Sequence, residues 1–175
     1  TLDADVVVGA DGIHSRVRDG EADAFDVARA SLSNHFAWFG VEKAFPSPSL
    51  VFRKQGAGYF VAHYYPYSES MSTFVAECDH QTWQSLGMET MTAEARKAVF
   101  ERVFAPELDG CKLVSNHSNW RQFPVIRARN WHVGNRVLIG DALSSAHFSI
   151  GSGTRIAMED AIALARALNG SPDDI

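Results

Sequence analysis

Two short apolar runs, each followed at once by glycine and an acidic residue, dominate the pattern of the chain. Residues 6–8 are all valine and lead through Gly9 and Ala10 to Asp11, and residues 137–139 lead directly into Gly140 and Asp141. Short apolar runs bounded by glycine are typical of buried strands. Past the second run, small and apolar positions over residues 154–168 predict an amphipathic helix. The chain therefore predicts a strand and turn near its start and a strand–loop–helix unit near its end.

The central part of the chain alternates between aromatic or β-branched runs and proline or glycine. This pattern predicts an antiparallel sheet with one buried face, with strands at residues 36–41, 50–53, 59–65, 71–77, 112–115 and 120–125. Asp79 and Thr92 are predicted to cap the starts of two helices. The second helix has an apolar stripe, which indicates that this face packs in the core. The acidic, small-residue stretch 21–29 reads as a linker.

Composition narrows the class of protein. The net charge of −5 and the lack of a basic run argue against nucleic-acid binding, and no apolar stretch approaches the ~20 residues of a membrane span. Cys78 and Cys111 belong to no metal-spacing motif, and the seven histidines are scattered. We therefore expect a cytoplasmic protein with reduced thiols and no metal, nucleic-acid or membrane partner.

The end of the chain carries the more specific chemistry. Asp141 lies where a carboxylate can accept hydrogen bonds from sugar hydroxyls, and the first turn of the helix offers unpaired N–H groups that favour negative charge. Gly151 and Gly153 would let a ring approach the backbone. The alternative is an ordinary strand–loop–helix unit in which Asp141 caps a turn.

Both motifs resemble a known family. Residues 136–168, RVLIGDALSSAHFSIGSGTRIAMEDAIALARAL, are similar to the second flavin-binding motif of class A flavoprotein monooxygenases with the p-hydroxybenzoate hydroxylase fold. Residues 5–18, DVVVGADGIHSRVR, resemble the Asp-Gly motif of the same family, near FAD and the path of the pyridine nucleotide. The resemblance implies that Asp141 contacts the ribityl chain and that the helix start faces the flavin pyrimidine edge. The cofactor-binding residues it implies are Asp11, Gly12, Gly140, Asp141, Gly151, Ser152, Gly153 and Thr154.

The resemblance also implies a fold and a domain plan. The expected fold is mixed α/β, with residues 1–30 and 131–175 in a partial FAD-binding domain. An inserted substrate domain over residues 31–130 contains the antiparallel sheet and helices. The family's Gly-x-Gly-x-x-Gly unit, which holds the adenine half of FAD, is not among the 175 residues. We therefore expect a fragment of a longer flavoprotein that is inactive alone and exposes apolar surface open to self-association.

The loop around His147 and Phe148 is similar to that of the salicylyl-CoA 5-hydroxylase and 2-aminobenzoyl-CoA monooxygenase branch, whose members often continue into a second oxidoreductase domain. The implied function is hydroxylation of an aromatic substrate, an aryl-CoA thioester, using FAD, NAD(P)H and O₂. His147 and Phe148 are the candidate substrate-side catalytic residues, although a backbone bond within the loop would account for His147 equally well.

Two other functions stay open. Related loops occur in violacein-pathway enzymes, which implies a tryptophan- or indole-type flavin hydroxylase as an alternative. The missing glycine-rich unit also allows a non-catalytic, partner-binding module.

Two further groups of residues have a functional and a bland interpretation. Five ring-bearing residues of the predicted sheet could form the floor of a substrate pocket or belong to the hydrophobic core: Trp38, Phe60, His63, Tyr65 and Phe74. Arg127 and Arg129 could meet CoA phosphates or lie in a solvated loop.

Overall fold

The computed structural model describes residues 4–170, which form two compact units. Residues 4–32 and 124–170 make up the terminal unit, and residues 33–123 make up the central unit. The strands are β1 (Val7–Gly9), β2 (Val27–Val41), β3 (Ser49–Gln55), β4 (Gly58–Pro66), β5 (Ser72–Cys78), β6 (Leu113–Ser115), β7 (Arg121–Ala128), β8 (His132–Val133) and β9 (Arg136–Leu138). The α-helices are α1 (Arg16–Asp19), α2 (His80–Ser85), α3 (Ala93–Val103), α4 (Ala105–Leu108) and α5 (Gly153–Gly170).

The terminal unit is built on a three-stranded sheet in the order β1-β9-β8. β1 and β9 are parallel, with Gly9 opposite Leu138, and β8 is antiparallel to β9. Strands from both ends of the chain therefore share one sheet. Their apolar side chains pack into a small core made of Phe25, Ala128, Leu138, Ala142 and Leu143.

The predicted linker over residues 21–29 is wrong. The residues before Val27 form hydrogen-bonded turns, in which the amide of Phe25 donates to the carbonyl of Glu21 at 3.0 Å, and β2 begins at Val27. The Phe25 side chain is fully buried, at 0% exposure. One buried aromatic side chain anchors residues 21–26, whose other members are small or acidic, which is why their composition looked like that of a linker.

The central unit is built on a six-stranded sheet in the order β3-β4-β5-β2-β6, with β7 also paired to β2. The β2–β5, β2–β6, β3–β4 and β4–β5 pairs are antiparallel, so the predicted sheet type is confirmed. Alternation along the strands turns one face toward α2, α3 and α4. The core between them includes Phe39, Phe60, Phe74, Trp83, Phe100 and Phe104.

This packing divides the five aromatic residues considered as a pocket floor. Phe60 and Phe74 face the helices, where their rings meet those of Phe100 and Phe104 edge-on at 5.5 and 5.6 Å between centroids. Of the two interpretations left open by the sequence, the core one is therefore confirmed for Phe60 and Phe74. Alternation along β2 and β4 places the others, Trp38, His63 and Tyr65, on the opposite face of the sheet.

The two predicted helix starts are confirmed. The Asp79 carboxylate accepts from the amide of Thr82 at 2.7 Å, and the Thr92 hydroxyl accepts from the amide of Ala95 at 3.2 Å. Each side chain satisfies an N–H group that the first helical turn leaves unpaired. Within residues 4–170, no helix is both long and apolar enough to cross a bilayer.

Candidate cofactor site

Two loops leave the terminal sheet side by side. Because β1 and β9 are parallel, the Asp-Gly loop (residues 10–15) and the Gly-Asp loop (residues 139–152) start at the same carboxyl edge, where open α/β sheets bind ligands. The amide of Ile139 donates to the carbonyl of Gly9 at 3.1 Å and extends the pairing into the loops. A Cβ on Gly9 would lie 2.6 Å from Leu138 Cδ2 and 3.1 Å from Val17 Cβ, so a larger residue would force these side chains to move.

Asp11 in the first loop holds the start of α1. Its Oδ2 accepts from the amide of Arg16 at 2.7 Å and lies 3.5 Å from the amide of Val17. Burial raises the pKa of Asp11, but hydrogen bonds from the Ser15 hydroxyl and these amides outweigh burial and keep the pKa below its ordinary value. The following Gly12 has φ of +79° and no heavy atom within 4 Å of a built Cβ. Asp11 therefore has a structural role here, while the backbone at Gly12 lies open.

Arg18 joins the two loops and was not found from the sequence. Its side chain is buried, at 1% exposure, and donates to the carbonyl of Ile13 at 2.8 Å and to that of Ala142 at 3.2 Å. Its Nε donates to Asp19 Oδ1 at 2.7 Å. One guanidinium thus binds both motif loops and fixes their spacing. An arginine beside an Asp-Gly motif gives no local sign of burial, because all its acceptors except Asp19 come from the fold.

The Gly-Asp loop is fixed against α5 at Gly140. This residue has φ of +60°, and a Cβ on it would lie 3.1 Å from Ala157 Cβ on the helix. Its amide donates to Oδ2 of the buried Asp160, also on α5, at 2.9 Å. A left-handed backbone and close helix approach both require glycine at this position.

Asp141 projects from this fixed loop into solvent. Its residue is exposed, and its carboxylate has no hydrogen-bond partner within residues 4–170. Gly140 on one side and the buried Ala142 on the other hold the backbone, so the acceptor is oriented without being used. The carboxylate is available for a ligand's hydroxyl groups.

The start of α5 provides the matching donors. Gly151 has φ of +65°, and neither it nor Gly153 has a heavy atom within 4 Å of a built Cβ. The first hydrogen bond into the helix joins the Ile156 amide to the Ser152 carbonyl at 2.9 Å. The amides of residues 153–155 accordingly have no acceptor in the described part of the chain. Unpaired amides and the helix dipole favour a group with negative charge here.

His147 and Phe148 lie in the same loop, ahead of α5. His147 Nδ1 is 2.7 Å from the Ser149 hydroxyl and 3.4 Å from the Ser149 amide, and the rings of His147 and Phe148 are 4.1 Å apart. This geometry holds the turn over Phe148–Ile150. A bond within the loop thus exists, as the alternative reading of His147 anticipated, and a role toward substrate stays a prediction.

The residues present suit one part of a flavin cofactor. A solvent-facing carboxylate, unpaired helix amides and glycines bordering open space lie on two loops that Arg18 ties together. Such a set can hold hydroxyl groups on one side and a partly negative, flat ring edge on the other. Among the described positions, no group of three or more His, Cys, Asp or Glu side chains could hold a metal ion.

The fold and these loops define a nucleotide-cofactor domain with an inserted antiparallel sheet. The chain belongs to the FAD binding domain family, whose model matches residues 1–171. This match confirms the predicted family.

Curated relatives agree with this membership. The chain is 42% identical over 174 residues to a salicyloyl-CoA 5-hydroxylase of Streptomyces sp., covering 95% of this chain and 34% of that protein. It is 40% identical over 170 residues to a 3-hydroxy-4-methyl-anthranilyl-[aryl-carrier protein] 5-monooxygenase of Streptosporangium sibiricum, covering 97% and 45%. The chain thus spans a third to less than half of the length of these relatives.

A solved structure shares the fold. PqsL, a probable FAD-dependent monooxygenase from Pseudomonas aeruginosa, superposes with a TM-score of 0.67 at 26% identity, over 97% of this chain and 47% of that one. The predicted fold class, a mixed α/β flavoprotein monooxygenase fold, is confirmed.

Proposed function

We propose that this chain forms the ribityl and pyrimidine side of an FAD site in a monooxygenase that hydroxylates an aromatic substrate. The observation that carries the proposal is the exposed carboxylate of Asp141, held beside a helix start whose first amides are unpaired. On this proposal Asp141 accepts hydrogen bonds from the ribityl hydroxyls, and Gly151, Ser152, Gly153 and Thr154 border the pyrimidine edge. Asp11 and Gly12 support the same cofactor from the neighbouring loop.

The chemistry of the reaction comes from the cofactor. When bound, FAD accepts a hydride from NAD(P)H and uses O₂ to supply one oxygen atom to an electron-rich ring. The chain's own residues bind the cofactor and orient it. The α5 amides stabilise negative charge at the ring edge they face, and Arg18 keeps the two loops at a fixed spacing. His147 and Phe148 would then contact the substrate, and His147 would donate a hydrogen bond to it or transfer a proton.

We further propose an aryl thioester as substrate and a division of labour between the chain's parts. The names of two relatives, one acting on a CoA compound and one on an aryl-carrier protein compound, support a thioester-linked ring. Residues 1–30 and 131–175 would serve the cofactor and residues 31–130 the substrate, although residues 1–3 and 171–175 lie outside the described structure. We place the protein in the cytoplasm, since Cys78 and Cys111 are both free thiols.

Titration of the purified chain with FAD, followed by flavin fluorescence and absorbance, tests the cofactor site. Asp141→Ala is expected to weaken binding about 10- to 100-fold, because charge-assisted hydrogen bonds are worth ~1.5–3 kcal/mol. Asp23→Ala removes another exposed carboxylate of the terminal unit and should bind like wild type. Equal affinities for wild type and Asp141→Ala would reject this role for Asp141.

The activity is tested by measuring NAD(P)H oxidation with the full-length protein that the gene encodes. Salicylyl-CoA should stimulate oxidation and yield a hydroxylated product, whereas salicylate and indole should not. Stimulation by indole alone would replace the thioester with an indole-type substrate. If the protein binds FAD but none of these compounds stimulates NAD(P)H oxidation, the proposed aromatic substrates are rejected.

A further inference from the structure

The central unit contains a cavity of about 480 Å³ that the cofactor site does not use. This volume lies within the ~300–1,000 Å³ of typical small-molecule sites. Its lining comes from β2, β5, β6 and the turn that joins β4 to β5. The strand residues at its base, Trp38, Gly40 and Thr73, lie on the sheet face that points away from the helices.

Gly40 leaves the floor of this cavity open. It pairs with Thr73 on β5 and with Val114 on β6 in regular strand register, so its backbone needs no left-handed conformation. A Cβ built on Gly40 would lie 3.6 Å from Met71 Cε and 3.7 Å from Val114 Cβ, which are ordinary contacts. A larger side chain would therefore fit the strand and would occupy the cavity.

The walls suit a flat ring with polar substituents. Trp38 and Tyr67 supply aromatic surface, and Met71 supplies a polarizable thioether. Tyr67 is 60% exposed, which is high for an aromatic side chain. Thr73 and Asn116 add neutral groups that can donate or accept hydrogen bonds.

Every side chain that lines the cavity is uncharged. A carboxylate placed against these walls loses part of its hydration without a cation to replace it, whereas an ester or thioester carries no such charge. We propose that this cavity binds the aromatic ring of an uncharged aryl ester or thioester and rejects the corresponding free acid. This inference rests on the proposed function, because it assigns the substrate ring of the same enzyme to a site.

Isothermal titration calorimetry of the purified chain with methyl salicylate and with salicylate tests the inference without flavin or turnover. The two probes share a ring and differ in charge. Methyl salicylate is expected to bind at least about 10-fold more tightly than salicylate, since tenfold corresponds to ~1.4 kcal/mol of the desolvation difference. Equal or reversed affinities, or no binding of the ester by folded chain, would overturn the inference.

Variants locate the site. Gly40→Leu should abolish binding of methyl salicylate, and Gly40→Ala, whose Cβ the structure accommodates, should weaken it. Gln55→Leu adds the same side chain at an exposed strand end and should bind like wild type. Trp38→Phe should lose ligand-induced fluorescence quenching while it keeps the heat of binding. Unchanged affinity in both Gly40 variants would place the ester elsewhere and overturn the assignment.

The FAD titration separates this inference from the proposed function. If FAD binds and depends on Asp141 while the ester does not bind, the cavity assignment fails and the cofactor site stands. If the ester binds with the expected selectivity and FAD does not, the cavity assignment stands and the cofactor role fails.

Discussion

Replacing Arg18 with methionine is expected to destabilise the terminal unit by about 3–5 kcal/mol, because two loop carbonyls lose their donor. The guanidinium is 1% exposed and donates to the carbonyls of Ile13 and Ala142 at 2.8 and 3.2 Å, besides its bond to Asp19. Methionine keeps the length and apolar stem of the side chain, so the loss comes from the donors. Each carbonyl left without a partner accounts for ~1–3 kcal/mol of it.

Arg29→Met is the matched control. Arg29 binds the same Asp19 oxygen at 2.6 Å, but its side chain is 44% exposed. An ion pair in contact with water contributes ~0–1 kcal/mol. The two substitutions therefore remove the same kind of group from the same carboxylate, and only the first also removes the bonds between the loops.

Urea unfolding followed by ¹⁹F NMR of 5-fluorotryptophan-labelled chain measures both variants. Trp131 is the single tryptophan of the terminal unit, whereas Trp38, Trp83 and Trp120 report on the central unit. Arg18→Met should lower the midpoint at Trp131 by an amount equivalent to about 3–5 kcal/mol, and Arg29→Met by less than about 1. Equal losses in the two variants would refute the view that the buried guanidinium holds the loops.

Three shorter predictions concern two contacts of Gly140 and one histidine of the central unit. Gly140→Ala should destabilise by about 1–3 kcal/mol in urea unfolding, because alanine meets both a φ of +60° and a Cβ contact of 3.1 Å to Ala157; an unchanged midpoint would contradict this. Asp160→Ala should cost about 1–3 kcal/mol by leaving the Gly140 amide unpaired, and Asp160→Asn, which keeps an acceptor, should cost less; the reverse order would count against the hydrogen bond. Burial, and next the nearby His80, lower the pKa of His35 below its ordinary value of 6.5. The contribution of His35 to stability is therefore complete above pH 6.5 and is lost as the pH falls. The urea midpoint should depend less on pH between 7.5 and 5 in His35→Phe than in wild type, and an equal dependence would exclude His35 as its source.

Local patterns were enough to predict most of the strands and two helix caps, but they missed β8 and the first part of β2. The apolar runs before Gly9 and Gly140 indicated two strands, and Asp79 and Thr92 indicated two helix starts, because each signal depends on residues close in sequence. The parallel pairing of these two strands was not predicted, because it joins segments more than a hundred residues apart. The solvent-facing position of Asp141 agrees with a role toward a ligand, which is still a prediction.

Features set by distant contacts could not be predicted in this way. The buried guanidinium of Arg18 is satisfied in part by the carbonyl of Ala142, 124 positions away, and nothing near Arg18 in sequence marks that acceptor. Asp160 lies within a helix, where its burial depends on the approach of Gly140. Phe60 and Phe74 could be assigned to the core only once strand register showed which sheet face meets the helices.

The parallel pairing of β1 with β9 has a consequence for how the protein is made. The first strand leaves the ribosome long before its partner, since Arg18 and its acceptor Ala142 are 124 positions apart. The β1 edge that pairs with β9, and the Asp-Gly loop beside it, therefore stay without their partner until translation has passed residue 142. Pairings of such long range close slowly and leave unpaired edges open to aggregation. The central unit, whose sheet and helices are contiguous in sequence, can fold first and shorten the distance that the two ends must then search.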